Sequence, residues 1–241
     1  MICRRYKCVF IHIPKNAGQS IEHVFLKLMG LNWKKRASLL LRYNDKPELG
    51  PPRLAHLKAH EYVLYNYMTQ EQFDIYFKFS VVRNPWDRAI SMYKYFGYAT
   101  KCDFKSFLKG AFLKEKWTKK YWFVGPQNEF IYDTDGKRNV NFIAKFENLE
   151  DDFRYVCQQI GLPNIKVPHI NSSEKKTEKS GSKMKDFVKY FLQNKSRSFP
   201  QFKRYQDYYD NESREMVAEL YKADIEIFGY QFEEETQGKN A

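Results

Sequence analysis

The chain has no run approaching the roughly 18 consecutive apolar residues that a membrane-crossing helix needs. Its N-terminus, MICRRYKC, carries basic residues but neither a longer apolar stretch nor a small-residue cleavage site, so it does not read as a secretory signal. The expectation is a soluble, cytoplasmic protein. Cysteine is scarce. Cys3, Cys8, Cys102 and Cys157 lack C-x-x-C spacing, which argues against a zinc ribbon or redox pair. Cys3 and Cys8, at the edge of a strand, read as free thiols, and Cys157 reads as core. The five histidines form no H-E-x-x-H motif or other metal constellation, and no metal is expected. Neither G-x-x-x-x-G-K-[ST] nor G-x-G-x-x-G occurs, which removes most support from common NTPase and dinucleotide readings. There is no internal repeat. Acid is in deficit, with 29 Asp and Glu against 41 Lys and Arg, a formal charge of +12. Such a surface suits anionic partners.

What is present begins with VFIHIPKNAGQSIE, Val9 to Glu22. An apolar run (Val9, Phe10, Ile11, Ile13) predicts a buried strand that stops at Pro14-Lys15. A small polar turn follows, and helical spacing resumes at Ile21, Val24, Phe25 and Leu28. A helix N-terminus offers free backbone N–H groups and positive dipole charge, so this junction suits a phosphate or sulfate. Gly18 allows close backbone approach, Ser20 can cap the helix or donate a hydroxyl, and Lys15 adds a point charge. The plainer alternative is a strand–turn–helix junction with an exposed lysine.

A second element reads YFKFSVVRNPWDRAISMYKY, Tyr76 to Tyr95. Phe77, Phe79, Val81 and Val82 predict a strand with Arg83 at its carboxyl end, where ligands bind in open α/β sheets. Asn84-Pro85 starts a turn and a helix follows, carrying Ser91 about two turns in from the junction. Arg83 has the planar fork that holds a phosphate by two bonds, or it pairs with Asp87 and braces the helix start. Further along, Asn141 to Phe146 reads as a strand, Leu149 to Ile160 as a helix stopped by Gly161 and Pro163, and Glu212 to Phe228 as one long amphipathic helix. Leu31 to Pro52 reads as a basic, irregular loop with some helix at Trp33 to Arg42, and Asp103 to Tyr121 as short aromatic-rich helices.

IPKNAGQS resembles the 5′-phosphosulfate loop of sulfotransferases, specifically the carbohydrate-type enzymes of sulfotransferase family 2. VVRNPWDRAISMY resembles their 3′-phosphate motif, in which an arginine and a serine grip the 3′-phosphate of 3′-phosphoadenosine 5′-phosphosulfate (PAPS). AKFENLEDDF, PHIN at 168–171 and YYDNESREMVAELYKADIEIFGYQF at 208–232 continue the likeness in the family's order. Gln19 departs from it, standing where threonine is more common. The resemblance implies PAPS as donor and adenosine 3′,5′-bisphosphate as product. Pro14, Lys15, Asn16, Ala17, Gly18, Gln19 and Ser20 would then hold the phosphosulfate, and Arg83 and Ser91 the 3′-phosphate. Lys15 would also meet charge on the leaving oxygen. A family histidine upstream of the second motif acts as general base, and His60 fits that position best. His56 is the reserve candidate, and Glu22 a third. His12 and His169 read as structural. Gln127, in FVGPQNEFI, is placed facing the acceptor, and Lys203 and Arg204 closing over the nucleotide.

The expected architecture is a single domain over 1–241, with enough chain to bury a full core. It is an α/β, P-loop-like three-layer sandwich with a central, mainly parallel sheet flanked by helices. A basic insertion at about 172–205 departs from the family pattern, with ten Lys and Arg against three acids up to Arg204. It reads as a lid over an anionic ligand or as a solvated loop. The expected acceptor is a hydroxyl of a carbohydrate or glycoconjugate, anionic ones included, with no nucleic acid. The alternatives are a kinase-like P-loop enzyme, disfavoured by the missing Walker pair and magnesium-holding aspartate, and a basic nucleic-acid- or glycan-binding protein without catalysis. A soluble catalytic part of a Golgi-type enzyme is the alternative to a cytoplasmic one.

Overall fold

The computed structural model of the protein describes residues 1–163, 165–168 and 199–232. Its centre is a four-stranded sheet in the order β1 (Ile2–Cys3), β2 (Cys8–Ile11), β3 (Phe77–Val82), β4 (Phe142–Lys145). β2, β3 and β4 run parallel, with Phe10 beside Phe79 and Val81 beside Ala144, and β1 folds back antiparallel on β2 as an edge hairpin. Every residue of β2 is buried, as expected for a parallel strand covered on both faces.

Side chains alternate across the sheet. Phe10, Phe79, Val81 and Ala144 face one core, where they meet Val24 and Phe25 of α1 (Gly18–Leu28). Val9, Ile11 and Val82 face the other, packed by Leu54, Leu57, Tyr62, Phe73, Phe130 and Phe228. The next long helix is α2 (Pro85–Tyr95), and α3 (Leu149–Gln159) adds Phe153 and Val156 to the first core. Asn84 caps α2, accepting from the Trp86 N–H, and Pro85 occupies the first turn, where its missing N–H costs nothing. α3 opens with Glu150, Asp151 and Asp152, which favour a helix N-terminus, and is followed by Gly161 at φ 69°.

Three expectations are refined. The first strand ends at Ile11, so His12 and Ile13 lie beyond it, on the way to the turn. The aromatic segment after Asp103 forms Phe104–Phe107 and then a π-helical stretch, Leu108–Lys116, whose Leu108 and Phe112 pack in a third core with Trp86, Met92 and Tyr93 of α2. The single helix expected over 212–228 is two, α4 (Asn211–Leu220) and α5 (Lys222–Phe228). They break at Tyr221, whose buried hydroxyl donates to the Val124 carbonyl at 2.7 Å. Among the described residues no helix is long and apolar enough to cross a membrane. Most of the basic insertion, together with His169, lies outside the described residues; the described part resumes at 199.

Candidate active site

Residues 12–17 join β2 to α1, and their backbone alternates in hand. Lys15 has φ 73° and Ala17 φ 58°, while Asn16 and Gly18 do not share the positive sign. Such alternation turns successive N–H groups into one concavity, the geometry of an anion nest. A left-handed conformation costs a non-glycine residue about 1–2 kcal/mol, so this loop persists only because its surroundings hold it. They do so with side chains reaching its backbone: Arg88 Nε donates to the Pro14 carbonyl at 3.1 Å and Arg83 Nη1 to the Lys15 carbonyl at 3.0 Å. Asn16, itself buried, donates from Nδ2 to Val81 O at 2.8 Å and to Gln127 Oε1 at 2.7 Å. Its Oδ1 is buried with no hydrogen-bond partner, and an oxygen left so is costly unless a donor comes to it. α1 starts at this loop without a side-chain cap, so its first-turn N–H groups are not satisfied in that way. The half-buried Lys15 places its ammonium 4.2 Å from the centre of the Tyr95 ring, at the end of α2. The loop therefore has the geometry to hold a phosphate or sulfate group.

Arg83 leaves the end of β3 and ties the two motifs together. Nε donates to Asp87 Oδ2 at 2.8 Å, Nη2 meets the same oxygen at 2.7 Å, and Nη1 spans to Lys15 O. The guanidinium carbon lies 4.1 Å over the Phe146 ring. Arg83 braces α2 through Asp87, the plainer of its two sequence readings, and these bonds leave N–H groups of its five-donor fork unspent. Ser91 is half-buried on α2, and among the described residues no hydrogen bond joins it to Arg83.

Beneath these two motifs lies a buried polar cluster. Arg88, fully buried, donates to the carbonyls of Pro14, Gly125 (2.9 Å) and Phe123 (3.2 Å). Gln127, also fully buried, bonds Asn16 and both backbone groups of Arg83. The acceptor-facing role expected for Gln127 gives way to an interior one, because its side-chain amide is consumed by the loops themselves. Asp224 of α5 accepts from the N–H groups of Gln127 and Asn128, both at 2.8 Å, and burial raises its pKa.

Beside the loop opens a small cleft of about 60 Å³. His12, Glu22 and His56 line it, with Gln19, Trp33, Tyr43, Arg36, Arg42 and Arg53. Glu22, on α1, is buried and holds His12 Nδ1 at 2.6 Å. His56 Nδ1 sits 2.9 Å from the His12 carbonyl. A carbonyl only accepts, so Nδ1 carries the proton and Nε2 keeps its lone pair. Burial, and then the neighbouring His12, push the His56 pKa well below the ordinary histidine value. His56 is therefore neutral at neutral pH, with the tautomer a general base needs. The expected base, His60, is exposed at the start of the short helix Glu61–Leu64 and is not among the cleft residues.

Of the expected cofactor residues, the fold brings Pro14 to Ser20 and Arg83 to one edge of the sheet. Gln19 also lines the cleft, and Ser20 donates its N–H to the Ala17 carbonyl at 2.9 Å. Lys203 and Arg204 are exposed, on a segment whose Tyr209 hydroxyl donates to Trp86 O at 2.8 Å. Sequence reasoning missed Arg88 and Asp224. The one available signal was a charge on an otherwise apolar helix face, since Asp and Arg are rarely fully buried unless paired.

The model of the Sulfotransferase family matches residues 1–231 of the chain. An uncharacterized protein of Archaeoglobus fulgidus is 33% identical over 117 residues, covering 46% of this chain and 90% of its own length. No solved structure matches.

Proposed function

The chain belongs to the sulfotransferase family, and from that premise we propose that it moves a sulfuryl group from PAPS to a hydroxyl of a carbohydrate or glycoconjugate, releasing adenosine 3′,5′-bisphosphate. One observation carries the reading. Arg83, at the head of the second motif, bonds the Lys15 carbonyl of the first, so two anion-holding elements meet at one sheet edge beside a cleft lined by a neutral histidine. The architecture we infer is the P-loop-like three-layer sandwich, with cores on both faces of the sheet as its support.

In this reading the nest and the N-terminus of α1 hold the 5′-phosphosulfate, and Arg83 with Ser91 holds the 3′-phosphate. His56 Nε2 takes the proton of the acceptor hydroxyl as its oxygen bonds to sulfur, and the sulfur–oxygen bond to the 5′-phosphate breaks in line. Lys15 stabilises the negative charge left on that phosphate oxygen. His56 takes the role for which His60 was the first candidate, because His56 lines the cleft. The rim supports the acceptor class. Arg36 stacks on Trp33 and Arg53 on Tyr43, and among the described residues neither these two arginines nor Arg42 forms an ion pair. Guanidinium groups held on aromatic rings suit a sugar bearing a carboxylate or sulfate.

Thermal unfolding with adenosine 3′,5′-bisphosphate tests the donor assignment. At 100 times Kd a ligand adds about 2.7 kcal/mol, which for a domain this size raises Tm by about 5–11 °C. ADP and 5′-AMP serve as controls. No shift at millimolar bisphosphate refutes the reading. Transfer of labelled sulfate from PAPS to a uronate polysaccharide but not to its carboxyl-reduced form supports the acceptor class. Preference for the reduced form refutes it.

A further inference from the structure

Gln127 reaches the site from neither of the two loops that line it. It follows Pro126 in a separate segment, 44 residues beyond Arg83 and 111 beyond Asn16. Yet its side chain bonds both. Oε1 accepts from Asn16 Nδ2 at 2.7 Å and from the Arg83 backbone N–H at 2.9 Å, and Nε2 donates to the Arg83 carbonyl at 2.8 Å. Both lone pairs of Oε1 are thus occupied, and the residue has no exposed surface. Its own backbone is fixed from a third direction. The two oxygens of Asp224 take the N–H groups of residues 127 and 128, each at 2.8 Å. Asp224 is 96 or 97 residues away along the chain and fully buried.

We propose that Gln127, mounted on Asp224, is a positioning residue that sets the spacing between the phosphosulfate loop and the Arg83 turn, so that the enzyme prefers a nucleotide carrying both 5′- and 3′-phosphates. The inference rests on the reading of those two loops as halves of one donor site. Its physical basis is chelation. Two phosphates on one ribose stand at a fixed separation. Binding one makes the second encounter intramolecular, with an effective concentration that depends on the two receiving sites matching that separation. Asn16 belongs to the nest and Arg83 begins the second site, so a side chain that bonds both fixes the distance between them. A glutamine suits this task because it has donor and acceptor in one plane, pairs with a backbone N–H and C=O as another peptide would, and brings no charge into a buried place.

The test is calorimetric binding of adenosine 3′,5′-bisphosphate, 5′-AMP and 3′-AMP to the full chain and to two variants. Gln127→Glu keeps size and the accepting oxygen but loses the donor to Arg83 O. Asp224→Asn disturbs the mount and leaves the clamp's own amide in place. The expected result is a loss of at least about tenfold in bisphosphate affinity, with each monophosphate changed by less than about twofold, because only the chelate advantage depends on spacing. Asp224→Asn gives the same pattern at smaller size. In turnover, the KM for PAPS rises while kcat changes little. Equal losses for all three nucleotides, unchanged bisphosphate affinity, or failure of both variants to fold each overturn the proposal. If the unaltered chain binds none of the three, the donor reading itself fails, which is a separate result.

Discussion

Gly18→Ala sets helix propensity against tertiary packing. Gly18 is the first residue of α1, and its φ is not positive, so alanine fits its backbone. Propensity alone predicts a gain of about 0.5–1 kcal/mol. The structure predicts the reverse. An added Cβ would stand 1.9 Å from His12 Nε2, 2.0 Å from Cδ2 and 2.5 Å from Cε1. The imidazole cannot swing away freely. Glu22 holds Nδ1 at 2.6 Å, the Phe10 ring stacks on it with centroids 5.5 Å apart, and His56 lies edge-on at 4.5 Å. Overpacking of this kind costs about 1–3 kcal/mol, and loosening a hydrogen bond to a buried charged group adds about 1.5–3 kcal/mol. The net is about 1.5–5.5 kcal/mol, or a fall in Tm of at least about 3 °C. On the proposed mechanism activity falls further, because His56, the proposed base, hangs from the His12 carbonyl, and a displacement of about 1 Å at such a group can cost about 10²-fold. Differential scanning calorimetry and initial rates read both effects. A double-mutant cycle with His12→Ala isolates the clash: that variant is itself costly because Glu22 loses its buried partner, but the pair together should cost less than the sum by at least about 1 kcal/mol. A Gly18→Ala protein with parental Tm, or strict additivity in the cycle, refutes the reasoning.

Other consequences are as direct. His56→Gln should lower kcat by about 10²–10⁴-fold, as expected for loss of a general base, with little effect on bisphosphate binding. A base must be unprotonated, and the His56 pKa lies well below the usual 6.5; the acid limb of the wild-type rate profile should therefore fall below that pH, and a limb centred at or above it would exclude His56. The same shift bears on stability: the unfolded state binds this proton more readily than the folded one, so stability contributed by neutral His56 is complete above the unfolded pKa and is lost as pH falls through it, which acid titration of unfolding can check. Arg88→Met should destabilise by about 3–5 kcal/mol in denaturant melts, because it strands three buried carbonyls, on Pro14, Phe123 and Gly125. Lys15→Met should cut turnover by at least about 10²-fold, with a much smaller effect on Tm than Arg88→Met, since the ammonium it removes is only half-buried.

Much of the fold was legible because its signals are local. β3 was read at its observed limits from alternating bulky apolar residues, and α3 from its periodicity and the Gly161 stop. The loop Pro14 to Ser20 was legible as the turn between strand and helix, and its proposed anion-holding role was suggested by a lysine, a glycine and a helix start falling together within seven residues. The histidine that lines the cleft was harder to read. His56 and His60 are four residues apart, and periodicity alone does not separate them. The turn through Leu54–His56 buries His56 against His12, and the chain exposes His60 at the next helix start. The break at Tyr221 was likewise hidden; there the hydroxyl bonds Val124, 97 residues away along the chain.

The sequence by itself determined three of the four described strands and the helices flanking the two motifs, because each depends on residues within a few positions of one another; the edge strand β1 was not read from it. Only the tertiary structure decided which histidine meets the cleft, that Glu22 is spent on His12, and that Gln127 and Asp224 lie beneath the site as its frame. Those outcomes turn on which buried polar group finds a partner across 10 to more than 100 residues. A buried group must be paired wherever the fold brings a partner to it, and sequence spacing does not record that encounter.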